Sequence, residues 1–134
     1  LNAPLPGRSA DMLHASDRIL DNYLAALNPA EVSTEVRKLL LSLLPNGKAS
    51  QEEVSRRMHM SRSTLHRRLR EENTNYKELL ESTRRTLAIE YVRDRKHSLN
   101  YIAFLLGFSD QSNFSRAFRR WTGLSYSQYK LRHC

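Results

Sequence analysis

The sequence predicts an all-α fold in which two helix-turn-helix subdomains are joined by a long linker helix. Three observations predict this fold. Apolar residues recur at helical spacing along most of the chain, and no alternating strand pattern of useful length interrupts them. Residues typical of helix ends separate these periodic segments. One segment in the second half of the chain also repeats an earlier segment at a shift of 48 residues.

Residues 1–34 are predicted to form an interdomain linker with a short helix. Leu1–Ala10 contains two prolines and a glycine and is expected to be irregular, whereas Ser16–Leu27 has apolar residues at helical spacing. The start lacks the charged and apolar segments of a signal peptide. Because the chain begins with Leu1 rather than Met, we expect a fragment of a longer protein.

A second helix is predicted to follow this linker helix. Asn28 is expected to cap it, with Pro29 in its first turn and Glu31 reaching back to the cap. Its apolar residues continue to Leu44, and the Pro45-Asn46-Gly47 sequence is expected to end it.

The first helix-turn-helix subdomain is predicted over about residues 50–72. Ser50 and Glu53 form a capping box, which opens a short helix. Ser61 is expected to cap the second helix, and Asn73 can take the left-handed conformation that ends it.

The linker helix is predicted over about residues 76–94. An apolar stripe along it is expected to lie in the core, and it comprises Tyr76, Leu79, Leu80, Thr83, Leu87 and Tyr91. Four nearby carboxylates are expected on a solvated face: Glu71, Glu72, Glu78 and Glu81.

The second helix-turn-helix subdomain is predicted over about residues 98–122. Either Ser98 or Asn100 opens its first helix, and either Ser109 or Asp110 caps its second. Gly123 is expected to end that helix. A final helix is predicted over about residues 126–132, after a capping box formed by Ser125 and Gln128.

The two subdomains are copies of each other in sequence. The segment Val54-Ser55-x-x-Met58-His59-Met60-Ser61 aligns with Ile102-Ala103-x-x-Leu106-Gly107-Phe108-Ser109 at a shift of 48 residues. Beyond the turn the shift becomes 49, because the second copy holds one extra residue. A small residue suits the helix crossing, the turn position favours a glycine-like backbone, and Ser61 and Ser109 are expected to bind free amides. A plain helical hairpin would fit one copy alone, but two copies favour DNA binding.

Positive charge is concentrated in the same part of the chain. The net charge is +8, and residues 49–134 supply all of it with 17 Lys and Arg against 9 Asp and Glu. A basic segment of this kind attracts a polyanion, and nucleic acid, an anionic membrane surface and an acidic protein are the candidates.

Other function classes find little support in the sequence. No apolar run approaches the roughly 18 residues that cross a bilayer, so no membrane partner is expected. The five histidines are scattered without a metal-ligand spacing, and no nucleophile motif or phosphate loop occurs. We therefore expect no metal, no cofactor and no catalytic residues, hence no enzyme. The lone Cys134 fits a reducing compartment.

The stretch from Ile102 through Gly107-Phe108-Ser109-Asp110-Gln111-Ser112-Asn113-Phe114 to Gly123 resembles the signature of AraC/XylS-type transcriptional regulators. The resemblance covers about Glu35–Arg132 and implies an AraC-type DNA-binding domain at residues 35–134. It departs from the family pattern at Ser55, His59 and Tyr126, where Ala, Gly and Pro are usual. His59 could therefore adopt a strained or left-handed conformation.

The resemblance also implies partners outside this chain. These are double-stranded DNA, RNA polymerase, and an N-terminal effector-sensing domain that this fragment lacks. It implies a bacterial, cytoplasmic regulator that activates transcription, with a monomeric fragment and a dimeric full-length protein.

The outward faces of the second helix of each subdomain supply the candidate DNA contacts. Arg62 is predicted from helix geometry to contact bases. The resemblance adds further base contacts, namely Ser63, His66, Arg67, Gln111, Ser112, Asn113 and Arg116. Contacts to phosphate are predicted for Ser61, Arg70, Ser109, Arg119 and Arg120. Phosphate or interhelical pairing remains the alternative for Arg67 and Arg116, and ordinary helix-start chemistry for Ser63 and Ser112.

The linker helix sets the expected geometry on DNA. A helix of about 19 residues is roughly 28 Å long, which is near the ~34 Å of one DNA turn. We therefore expect an asymmetric site read in successive major grooves, with bent DNA or adjusted helices. An RNA-binding protein would expose stacking aromatics, and a helical adaptor would not need two polar and basic faces, so both are less favoured alternatives.

Overall fold

The structure is a computed structural model that describes residues 18–133. Helix α1 covers residues 18–25. It is followed by α2 (Val32–Leu43), a 3-10 turn (Leu44–Asn46), α3 (Gln51–Arg57), α4 (Arg62–Glu71), α5 (Tyr76–Asp94), α6 (Leu99–Leu105), α7 (Gln111–Thr122) and α8 (Tyr126–His133). No strand occurs among these residues, so the all-α prediction is confirmed. The predicted irregular Leu1–Ala10, the predicted helix start at Ser16 and Cys134 lie outside the described residues.

Two hydrophobic cores organise the fold, one around each helix-turn-helix unit. The first unit, α3 and α4, packs against α2, and its core contains Val36, Leu40, Leu43, Leu44, Val54, Leu65, Leu69 and Leu79. The second unit is α6 and α7, and its core contains Ile19, Leu87, Ala88, Tyr91, Val92, Ile102, Ala103, Leu106, Phe114 and Phe118. Burying one such large apolar side chain contributes about 1.5–3 kcal/mol.

Helix α5 belongs to both cores, which makes it the spacer between the units. Leu79 in its first half lies in the first core, and Leu87 and Tyr91 in its second half lie in the second. Asn75 caps the helix by accepting from the Glu78 amide at 2.9 Å. The predicted bounds and the predicted core stripe of this helix are therefore confirmed.

Helix α1 packs on the second core and on the spacer. Ile19 is buried among the second-core residues, and Arg18 pairs with Asp94 at the end of α5 at 3.0 Å. Arg37 of α2 donates to the hydroxyls of Tyr23 and Thr83 at 2.9 and 3.1 Å. These contacts hold α1 and α2 against one face of α5.

Most predicted helix ends agree with the structure. Ser50, Ser61 and Ser98 each accept a bond from a backbone amide three residues later at 3.1 Å. Asn73 has a φ of 62°, the left-handed value expected where α4 ends. The capping box before α8 is formed in both directions, through Ser125 and Gln128 at 3.0 and 3.1 Å.

The predicted start of α2 is wrong. Asn28 binds the amide of Ala30 in a local turn, at 3.0 Å, and α2 begins at Val32 without a side-chain bond from Glu31. The carboxylate of Glu72 caps the helix instead, because it accepts from the amides of Val32 and Ser33 at 2.7 and 2.9 Å. A negative group at a helix N-terminus is favourable. Here that group is the carboxylate of Glu72, the residue that follows α4.

Glu72 is therefore not the solvated carboxylate that we predicted. Burial raises its pKa, but the hydrogen bonds from Ser33 and Val32 outweigh burial and leave the pKa below its ordinary value. The capping box at Ser50 is also only half formed. Glu53 bonds to Arg57 at 2.7 Å and to Arg56 rather than reaching back to Ser50.

The two turns differ by the extra residue that the sequence indicated. Asp110, and not Ser109, caps α7 by accepting from the Asn113 amide at 2.8 Å. Ser109 therefore does not bind a free amide as predicted, because it lies one residue before the cap. The turn positions themselves are equivalent, since His59 has a φ of 58° and Gly107 a φ of 78°. The left-handed conformation expected for His59 is confirmed.

Candidate nucleic-acid interface

Helices α4 and α7 each bury one face and expose the other. Leu65 and Leu69 of α4 are fully buried, as are Phe114 and Phe118 of α7. The outward residues of α4 are all exposed: Arg62, Ser63, His66 and Arg67. On α7 Gln111, Ser112 and Arg116 are exposed and Asn113 is half-buried. The structure therefore places all eight predicted base contacts outside the two cores. We refer to α4 and α7 as the recognition helices.

On α4 the two candidate arginines have loose acidic partners. Arg62 lies 3.8 Å from Glu52, and Arg67 lies 3.8 Å from Glu71 one turn away. All four side chains are exposed, and ion pairs of this kind contribute little to stability. DNA phosphates or bases could replace these partners at small cost.

Three candidate residues at the start of α7 and in the turn before it form one hydrogen-bonded chain. Asn113 donates from Nδ2 to Ser109 Oγ at 2.6 Å, and Arg116 donates from Nη2 to Asn113 Oδ1. The Asn113 amide therefore orients Arg116 along its own helix rather than toward another helix. Gln111 and Ser112 have no side-chain hydrogen bond within residues 18–133, so their polar groups face solvent.

The predicted phosphate contacts fall into two groups. Arg70 and Arg119 are exposed and form no ion pair within the described part of the chain. Arg120 is paired with Glu81 of α5 at 3.0 Å. Ser61 is engaged locally, since its hydroxyl accepts from the Thr64 amide at 3.1 Å. Among the predicted phosphate contacts, Arg70 and Arg119 are thus the residues most available to a phosphate.

A concave surface of about 450 Å³ gathers several of these groups beside the second turn. Its lining includes Arg84, Ser109, Asn113, Arg116 and Arg120. Three guanidinium groups in one concavity give the surface a positive charge, which suits a polyanion.

Arg84 of α5 is a residue of this region that the sequence did not single out. Its Nε donates to the carbonyl of Leu106 at 2.7 Å, and its Nη2 donates to the carbonyl of Gly107 at 3.0 Å. The guanidinium lies 4.4 Å from the centre of the Phe108 ring. Burial lowers its pKa, but an arginine stays charged at neutral pH. Arg84 therefore attaches the second turn to the spacer.

Glu81 of α5 was predicted to lie on a solvated face, and 42% of its side chain is exposed, but it also has partners that the sequence did not indicate. Its carboxylate accepts from Trp121 Nε1 at 2.6 Å and from Arg120 at 3.0 Å. The Trp121 hydrogen bond and the charge of Arg120 hold the pKa of Glu81 below its ordinary value. The only sequence signal was the position of Glu81 and Arg84, which are polar residues three apart at the edge of the apolar stripe.

Comparison with known proteins links this geometry to DNA-binding regulators. A helix-turn-helix domain family matches residues 54–132, and a winged helix-turn-helix DNA-binding family matches residues 36–71. The second match covers most of α2 together with α3 and α4. Within the described residues the chain then passes into α5 without a strand hairpin.

Two curated relatives resemble nearly the whole chain. The ornithine utilization regulator of Pseudomonas aeruginosa is 42% identical over 131 residues, which are 97% of this chain and 38% of that protein. The HTH-type transcriptional regulator VirS of Mycobacterium tuberculosis is 37% identical over 132 residues, with 94% and 38% covered. The chain thus spans 38% of the length of these relatives.

Two solved structures have a similar fold. A DNA-binding transcriptional dual regulator from Escherichia coli K-12 superposes with a TM-score of 0.69 at 27% identity, covering 80% of this chain and 95% of that one. The C-terminal domain of AraT, a response regulator from Geobacillus stearothermophilus, has a TM-score of 0.68 at 24% identity and covers 81% and 88%. The second similarity concerns the fold alone. Within residues 18–133, no helix has both the length and the apolar character that crossing a membrane requires.

Proposed function

The chain belongs to the AraC-type helix-turn-helix family of DNA-binding transcription regulators, and we propose that it binds duplex DNA by placing α4 and α7 in successive major grooves. One observation carries this proposal. Both recognition helices expose a polar face while their buried faces pack into cores that share the single spacer α5. Such an arrangement presents two reading surfaces at a fixed separation.

Each recognition helix would supply four base contacts. On α4 these are Arg62, Ser63, His66 and Arg67, and on α7 they are Gln111, Ser112, Asn113 and Arg116. Arginine suits guanine and a Gln or Asn amide suits adenine in the major groove. Arg70 and Arg119 would hold phosphates, together with Ser61, Ser109 and Arg120 after exchange of their present partners.

The binding site on DNA would be asymmetric. The two recognition helices differ in sequence, so the two half-sites differ as well. A spacer helix of 19 residues supports half-sites about ten base pairs apart. One copy of the chain would suffice to occupy both half-sites, and the fragment would be monomeric.

The remaining parts of the function concern the full-length protein. We propose a cytoplasmic activator that recruits RNA polymerase, with a sensing and dimerising domain N-terminal to this chain and residues 1–34 as the linker. The support is the length of the similar regulators, because the match to this chain covers only 38% of each of them.

Selection of bound duplexes from random DNA tests the proposal, followed by gel shifts of the selected duplex with RNA as competitor. We expect two conserved half-sites and no displacement by RNA. Gln111→Ala should relax the preference at one base position, at a cost of about 1–3 kcal/mol in binding. Efficient displacement by RNA would instead support an RNA-binding protein, and failure to bind any duplex would favour an adaptor.

A uniform loss from Gln111→Ala on all sequences would remove Gln111 from the base contacts. Ser127→Ala is the matched control, because Ser127 is an exposed polar residue on α8, outside both recognition helices. It should leave both affinity and sequence preference unchanged.

A further inference from the structure

Two polar side chains of the spacer, Glu81 and Arg84, hold the second unit through hydrogen bonds. Glu81 and Arg84 are three residues apart on α5, so they lie on the same side of that helix. Glu81 binds Trp121 and Arg120 near the end of α7, whereas Arg84 binds the carbonyls of Leu106 and Gly107 before α7 begins. The recognition helix is thus attached to the spacer at both of its ends.

The attachment at the second turn also includes the first unit. A Cβ added to Gly107 would lie 2.8 Å from the carbonyl oxygen of Leu44 and 3.3 Å from Arg84 Nη2. Leu44 begins the 3-10 turn that follows α2, and it is buried in the first core. Gly107 of the second turn therefore lies close to both Arg84 of the spacer and Leu44 of the first core, with no room for an added methyl group.

We propose that Glu81 and Arg84 are positioning residues that set the spacing between half-sites accepted by the protein. We name this pair the α5 clamp. It acts through α7 rather than by touching DNA, because it fixes the direction in which α7 leaves the spacer. The proposal rests on the proposed function, in that it explains how two recognition helices would keep one register on DNA.

The hydrogen bonds of the α5 clamp restrict the motion of α7 on the spacer. Hydrophobic contacts alone allow a helix to rotate or slide slightly on its neighbour, since they are non-directional. Hydrogen bonds to charged groups are directional and stronger than neutral ones. The hydrogen bonds of Arg84 and Glu81 are 2.6 to 3.0 Å long. Arg84 is half-buried, and Glu81 is paired with the charge of Arg120. Loss of the clamp should widen the range of angles between α4 and α7 without emptying either core.

The experiment measures affinity for the selected duplex and for duplexes with one base pair added or removed between the half-sites. Each change rotates one half-site by about 35°, so we expect the native protein to lose about tenfold in affinity. Arg84→Met and Glu81→Ala should reduce that loss to about threefold or less, because a mobile α7 can follow the displaced half-site. Glu81→Gln, which keeps an acceptor for Trp121, should restore part of the discrimination.

Matched controls lie on the same helix. Arg85→Met removes the same charge from the neighbouring exposed arginine, and Glu78→Ala removes an exposed carboxylate whose partner is Thr74. Both should keep the native ratio between spacings even where overall affinity changes. Clamp variants that keep the native ratio would overturn the proposal, and Glu81→Ala decides alone if Arg84→Met does not fold.

A second readout needs no DNA and separates this proposal from the proposed function. Spin labels are attached to the cysteines of Ser63→Cys and Ser112→Cys in a Cys134→Ser background. Pulsed electron spin resonance then measures the distance between α4 and α7. The clamp variants should broaden the distance distribution, and the control variants should not. A broadened distribution, in a protein whose unlabelled native form binds no duplex, would sustain the clamp and refute the proposed function. An unchanged distribution would refute the clamp.

Discussion

The two helix-turn-helix units share a sequence pattern but are stabilised in different ways. The first unit has an aliphatic core, with Leu65 and Leu69 from its recognition helix. The second has an aromatic core in which Phe114 and Phe118 contact neighbouring rings, and only this unit is held by the α5 clamp. A duplicated motif can thus keep its backbone plan while the contacts that fix its recognition helix diverge.

The units also differ in how their cations are arranged. The arginines of α4 pair loosely with exposed acids at 3.8 Å, whereas Arg116 and Arg120 of α7 are bound to Asn113 and to Glu81. A side chain held in place loses less entropy on binding, which favours specific contacts. The second unit is therefore expected to contribute more sequence preference, and the first more of the general electrostatic attraction.

The largest expected effect comes from emptying one core at a time. Phe118→Ala removes a fully buried ring and should destabilise the protein by about 3–5 kcal/mol, and Leu69→Ala in the first core by about 2–5 kcal/mol. Because the cores are separate, hydrogen exchange should speed up mainly in α6 and α7 for the first variant and in α3 and α4 for the second. Equal acceleration in both units for either variant would show that the cores are not independent.

Alanine should affect stability differently at the two equivalent turn positions, Gly107 and His59. Gly107→Ala should cost about 1–3 kcal/mol, because its φ is 78° and the added Cβ would lie 2.8 Å from the Leu44 carbonyl oxygen. His59→Ala should change stability by less than about 0.5 kcal/mol, since His59 already holds the left-handed conformation with a side chain. Chemical denaturation of both variants measures the difference. Similar costs at the two positions would contradict the close contact assigned to Gly107.

The salt dependence of DNA binding should differ between Arg119→Ala and Arg120→Ala in α7. Arg119→Ala should weaken binding to all duplexes alike and lower the salt slope by about one unit, because Arg119 has no acidic partner within the described residues. Arg120→Ala should lower the slope by less than one unit, since Glu81 already neutralises part of its charge. Binding titrations at four salt concentrations measure both slopes. A full-unit change from Arg120→Ala would contradict this expectation, because the pairing with Glu81 would then not weaken the phosphate contact of Arg120.

The smallest expected effect is a pH dependence of stability from Glu72. Its pKa is lowered in the folded protein, so the unfolded chain binds more protons in acid. The contribution is complete above the ordinary Glu pKa of about 4.3 and is lost as pH falls through the lower folded value. Glu72→Gln should therefore flatten the acid loss of stability by less than about 1 kcal/mol. Thermal melts from pH 3 to pH 7 provide the test, in which parallel curves for the native protein and Glu72→Gln would refute the helix-capping role.

What the sequence predicted well is local along the chain. The bounds of α5 at Tyr76 and Asp94, the Ser61 and Ser98 caps, and the left-handed Asn73 depend on neighbours a few residues away. The outward positions of seven of the eight base candidates followed from helical periodicity in the same way, whereas Asn113 was predicted from its place near the helix start. Their individual contacts with DNA stay predictions, because no DNA lies beside them.

What the sequence did not predict depends on residues that are distant along the chain. Glu72 caps a helix 39 and 40 residues earlier, and Glu81 meets Trp121 40 residues later. An exposed-looking carboxylate in a polar sequence carries no sign of such a partner. The choice between Ser109 and Asp110 as the α7 cap was open for a related reason, since both residues can cap a helix and the turn geometry decides.

The central claim is that both recognition helices read one duplex in successive major grooves. Methylation interference on the selected duplex tests it most directly, because the N7 atom of guanine lies in the major groove. We predict two clusters of interfering guanines, centred about ten base pairs apart on one face of the DNA. Interference confined to a single cluster, unchanged when the α4 residue Arg67 is replaced by alanine, would contradict the claim.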